Sequence, residues 1–112
     1  MIISLNLNME ITAEDRKMLN DIVDFQIQNM YQTVDFGNDE DIKKKLKVTN
    51  SYDFILGMMY TKIVDALTIY LLEKMKIGGT PTSEETRDIF KVTSDVIIDR
   101  IPEIKQKVED KL

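Results

Sequence analysis

Along most of this chain apolar residues recur at spacings of three and four, the period of helices that bury one face. The pattern sets in after residue 12, where Leu19, Val23, Ile27, Met30 and Val34 form one stripe. Thr12 stands ahead of the stripe as a cap, and Glu14 and Asp15 follow in the first turn, where the positive end of a helix favours acids. A shorter row, Met18, Ile22 and Phe25, runs beside the first, so this helix is expected to touch more than one neighbour. Gly37 is read as its stop, which gives a helix over 12–36.

The stretch "NDEDIKKKLK" predicts a short helix over 39–47, with Asp39, Glu40 and Asp41 at its start and lysines toward its end, the order that the helix dipole favours. Asn50 or Ser51 then caps a long helix over 51–77. In 52–77, 17 of 26 residues are apolar, and the polar Asp53, Gly57, Thr61, Asp65 and Thr68 fall on one narrow strip. A helix so apolar around its circumference belongs at the centre of the fold. Gly78 and Gly79 are read as its end.

A capping box from Thr82 to Glu85 opens the last helix, over 82–111. Its seam is Phe90, Ile97, Ile101, Ile104 and Val108, flanked by Ile89 and Val96. Pro102 falls within that seam and predicts a kink or break, because its ring opposes the preceding turn and it has no amide hydrogen to donate.

The first eleven residues do not fit this pattern. Leu5, Leu7, Met9 and Ile11 alternate with Ser4, Asn6, Asn8 and Glu10, which reads as an extended arm or a β-strand. Within the chain only "KVT" at 47–49 looks extended enough to pair with it. The other solution is a homodimer whose arms pair across a two-fold axis and bury the apolar side of each. The expected architecture is a small all-α bundle, three main helices plus one short helix in a single domain over 12–112, preceded by an arm over 1–11.

Composition narrows the chemistry. The apolar share of 43% and charged share of 31% suit a folded globular protein. A net charge of −5 disfavours general binding to nucleic acid or to an anionic membrane. Cysteine and histidine are both absent, which removes thiol chemistry, the commonest general base and the commonest transition-metal ligand. The longest mainly apolar run, 54–60, is short for a membrane span, and the N-terminus is a poor signal peptide, so a cytoplasmic protein is expected.

The arm followed by a helix is similar in pattern to ribbon-helix-helix repressors, and that resemblance implies a dimer whose paired strands place alternate polar residues in the DNA major groove. On it, Asn6 and Asn8 would read base edges, with Lys43, Lys44, Lys45 and Lys47 available for phosphates. The chain departs from that family in its longer first helix, its negative charge and an arm without Lys or Arg before Arg16. The lysines are read first as the solvated end of a helix that begins with acids.

Carboxylate pairs are the remaining route to catalysis. Asp21 with Asp24, Glu85 with Asp88 and Asp95 with Asp99 have spacings that put two oxygens on one helical face, in the style of all-helical nucleotide pyrophosphohydrolases but without that family's ExxE spacing. Asp65, in the middle of the apolar helix, is read as part of the polar strip. No cofactor or metal site is expected. The reading is a non-catalytic protein-binding or regulatory protein that acts through apolar helix faces and associates with its own copy. Its expected interface residues are Leu5, Leu7 and Met9 in the arm and Ile97, Ile101 and Ile104 on the last helix. A dimeric DNA-binding regulator is the alternative, and a carboxylate-metal hydrolase the minor one.

Overall fold

A computed structural model describes residues 10–112. Within them every regular element is an α-helix, and the arm positions Leu5, Asn6, Leu7, Asn8 and Met9 lie outside the described residues. Six helices follow in order: α1 (Ala13–Gln28), α2 (Tyr31–Asn38), α3 (Glu40–Leu46), α4 (Ser51–Lys74), α5 (Ser83–Ile98) and α6 (Ile101–Asp110).

The expected first helix is two. At Asn29 the backbone amide and the side-chain amide both donate to the Phe25 carbonyl, at 3.1 and 2.8 Å. A side chain that competes for a carbonyl in this way ends a helix locally. The apolar stripe nevertheless continues across the break, and Leu19, Val23, Ile27, Met30 and Val34 are all buried. Periodicity located the inner face correctly while missing the joint.

The expected last helix is also two, and here the break falls just ahead of Pro102, at Asp99 and Arg100. Proline occupies the first turn of α6, where its missing amide hydrogen costs no helical bond. The new direction of α6 carries Ile104 and Val108 onto the core, both with no exposed surface. In α5 the inner face is Ile89, Thr93, Val96 and Ile97, whereas Phe90, expected in the seam, is 69% exposed.

Three glycine readings change. Gly37 does not stop a helix but lies inside α2, buried against α4: a Cβ there would stand 2.3 Å from Cγ1 of Ile55. Gly78 and Gly79 do not terminate α4. The left-handed position after that helix is Lys76, φ 59°, with Ile77 donating to the Leu72 carbonyl at 3.0 Å and Lys76 to Glu73 at 3.1 Å. The same double bond closes α3 around Lys47, φ 60°, so "KVT" begins as a helix stop rather than as a strand.

The long helix α4 is central, as its composition implies, and packs against α1, α2, α5 and α6. Its buried row is Ile55, Met59, Ile63, Leu67 and Leu71. Strict spacing by four on a helix of 3.6 residues per turn drifts by about 40° per step, so the buried face turns along the helix and meets different neighbours at different heights. The caps at Thr12, Asp39, Asn50 and Thr82 all form through their side-chain oxygens.

Candidate functional site

Two polar clamps hold α1 in place. At its N-terminus Asp15 accepts from the Thr12 amide at 3.0 Å and from the Tyr70 hydroxyl at 2.9 Å, and pairs with the Lys74 ammonium at 2.8 Å. The Lys74 ammonium, reinforced by the Thr12 amide, holds the Asp15 carboxyl well below the usual carboxylate range. The same carboxylate pushes the Tyr70 hydroxyl above the usual phenol range. Because Tyr70 and Lys74 lie at the C-terminal end of α4, this clamp makes α1 and α4 antiparallel.

Further along α1, Arg100 from the α5–α6 corner pairs with Asp24, donates to Oδ1 of Asn20 at 3.1 Å, and holds Glu103 at 2.8 Å. Each carboxylate of the two clamps is thus matched to a cation.

With α1 held so, its second row is left largely uncovered by the described residues. Met18 and Phe25 are exposed and Ile22 is half-buried; with Ala66 and exposed Ile69 from α4 they line an open depression of about 390 Å³. The second neighbour expected from the pattern is absent among the described residues.

A second apolar surface lies between α4 and α5, where Tyr60 and Val64 face Phe90, Ile97, Ile98 and Ile101. Ile97 and Ile101, expected at an interface, border it, but Ile104 is enclosed entirely by its own chain and presents nothing to a partner. The residues most exposed there are Phe90 and Ile98, at 69% and 63%. Sequence reasoning missed Ile98 and placed Phe90 inside, because a helix with apolar residues on two adjacent rows does not say which row is covered.

A groove of about 740 Å³ lies between α2 and α4, lined by Phe36, Phe54 and Met58 with Gly57 exposed beside them. Phe36 and Phe54 lean on each other with ring centres 6.3 Å apart. Asp53 and Lys62 stand at the two ends of its α4 side, and the Lys62 ammonium donates to the Thr33 hydroxyl at 3.1 Å. A Cβ added at Gly57 would meet nothing within 4 Å, so this glycine keeps the groove open.

Lys43 is turned inward on Ser51, 2.8 Å, and Glu40, 3.1 Å, while Lys44, Lys45 and Lys47 are exposed. Asp21 pairs with Lys17 at 3.0 Å, and Asp24 with Arg100. Glu85 closes the capping box on the Thr82 amide at 2.8 Å, and Asp95 and Asp99 are exposed. Among the described residues no three acidic side chains converge on one point. Asp65 is exposed, on the polar strip of α4.

By length and composition α4 is apolar enough to cross a membrane, which reading the chain run by run did not reveal because the polar strip interrupts each run. Only 28% of its most apolar 18-residue window is buried in this fold. Comparison with protein-family models, with curated proteins and with solved structures gives no match.

Proposed function

We propose that this chain is a non-catalytic protein-binding module that works through apolar helix faces, with a second copy of itself among its partners. The observation that carries the reading is the row Met18, Ile22, Phe25 and Ile69, an apolar stripe continuous across α1 and α4 that no other element of the described chain covers. Scattered exposed apolar residues are ordinary on any protein, whereas rows that join across two helices are the signature of contact surfaces. The two clamps support the reading, because they fix α1 so that this row cannot turn inward.

The test is capture with the full chain as bait, after nuclease treatment, in parallel with Phe25→Glu and Ile69→Glu variants. Both positions are exposed, so each variant should keep wild-type thermal stability within about 0.5 kcal/mol. The reading requires a stoichiometric protein that survives nuclease and is lost from both variants. Recovery that depends on intact nucleic acid, or a bound protein indifferent to both substitutions, would sink it.

A further inference from the structure

The groove between α2 and α4 has one cationic end, and that end names a ligand. We propose that the groove binds a monocarboxylic acid with an apolar chain, a fatty acid of medium length. Its carboxylate sits on Lys62 and Thr33, and its chain lies past Gly57 toward Phe36 and Phe54. The inference goes beyond the protein-binding reading, which is carried by the row across α1 and α4.

The head of the site is set by one hydroxyl. Thr61 and Thr93 donate to carbonyls of their own helices, Gly57 at 3.0 Å and Phe90 at 2.9 Å, a common use of threonine within a helix. Thr33 is turned the other way. It is only 5% exposed, and its oxygen accepts from the Lys62 ammonium at 3.1 Å. A hydroxyl that accepts still has its own hydrogen to give, and an ammonium has three. Among the described residues the Thr33 hydroxyl donates to no acceptor and Lys62 forms no ion pair. Two donors, one of them charged, therefore meet at one end of the groove, and the two oxygens of a carboxylate complete them.

The body of the site is apolar. Phe36, Phe54 and Met58 line it, and at Gly57 an added Cβ would meet nothing within 4 Å. Its volume, about 740 Å³, suits a small ligand, for which pockets run to roughly 300–1,000 Å³. Lys62 and Phe54 are eight positions apart on α4, about 12 Å at 1.5 Å per residue, which fits a chain of medium length. Asp53, the acid of the lining, stands at the far end and about half a turn round α4 from Lys62. It does not meet the bound carboxylate, and it disfavours a second carboxylate at the other end of the ligand.

The experiment is calorimetric titration of the full chain with decanoate and with decylammonium, each below its micelle concentration. The two share a tail and differ in the sign of the head. A chain of net charge −5 attracts cations and repels anions in general, so unspecific binding favours decylammonium. The site requires the reverse, by at least about tenfold. Lys62→Met keeps an apolar stem and removes the charge, and should weaken decanoate at least about tenfold. Thr33→Val keeps the shape and removes the hydroxyl, and should weaken decanoate several-fold. Gly57→Leu places a side chain in the groove on a better helix former. It should abolish binding and melt no lower than wild type, which separates a filled site from a damaged fold.

A wild-type chain that shows no saturable binding of decanoate, or that prefers decylammonium, overturns the proposal. So does decanoate binding that Lys62→Met or Gly57→Leu leaves unchanged, since the tail then rests on another apolar face. Phe25 and Ile69 lie outside this groove, so the capture experiment and this one fail independently.

Discussion

The Tyr70 hydroxyl donates to Oδ1 of Asp15 across 2.9 Å, joining residues 55 positions apart in the chain and fixing the start of α1 to the end of α4. Asp15 caps its own helix and pairs with Lys74 as well, so one carboxylate serves local structure and tertiary structure together. Tyr70→Phe removes one hydrogen bond and leaves Asp15 with its other partners, so chemical denaturation should show a loss of about 1 kcal/mol. Asp15→Ala also strands Lys74 and removes half of the capping box, and should cost about 2–3 kcal/mol. Equal losses in the two variants would show that Lys74 and the capping box add nothing to the Tyr70 bond at this carboxylate.

The same carboxylate makes stability depend on acid. Its acidity in the folded chain is raised by Lys74 and Thr12, so its pKa is lower folded than unfolded. The stabilisation is complete above the unfolded carboxylate value, near pH 4, and is lost progressively as pH falls from there through the folded value. Melting temperature should therefore drop more steeply below about pH 4 in the wild type than in Asp15→Asn. Parallel curves would mean that other carboxylates govern acid unfolding.

Gly37 and Gly57 stand within helices in opposite circumstances, and alanine should have opposite effects at the two. At Gly37 the added carbon would collide with Ile55 in the core, and the overpacking should cost about 1–3 kcal/mol despite the better helix propensity. At Gly57 there is open space, and Gly57→Ala should stabilise the monomer by roughly 0.5–1 kcal/mol. Urea unfolding at concentrations low enough to keep the chain monomeric separates the two. The same sign of change at both positions would contradict the packing of α2 on α4.

Lys47 and Lys76 hold left-handed conformations that cost an L-residue about 1–2 kcal/mol, against roughly 0.5–1 kcal/mol for the greater entropy that glycine loses on folding. The first cost is the larger, so Lys76→Gly should raise stability by a few tenths to 1 kcal/mol. A drop instead would show that the Lys76 side chain contributes more than its backbone costs.

Ile104 and Ile98, which both fall within the single helix that the sequence predicts over 82–111, have opposite fates. Ile104→Ala should cost about 2–5 kcal/mol as a core truncation, whereas Ile98→Ser should fall within about 0.5 kcal/mol of wild type in thermal unfolding. Similar losses at both would place Ile98 in a covered environment.

Much of the fold was legible in the sequence because it depends on local physics. Helix period, the caps at Thr12 and Thr82, and the central place of an almost wholly apolar helix follow from side chains that act within a turn or two of their own positions. The stripe from Leu19 to Val34 marked the core correctly even across a joint it did not foresee. What the sequence left undetermined was which of two adjacent apolar rows is covered. Phe90 and Ile89 are neighbours of equal apolar character, and only the setting of α5 against α4 and α1 decides that Ile89 turns inward. The groove beside Gly57 and the unmet row at Met18 and Phe25 are likewise products of how separate helices are set against each other. Period is a property of one helix, whereas exposure is a property of its neighbours, and neighbours are chosen by long-range contacts such as Asp15 with Tyr70 and Arg100 with Asp24.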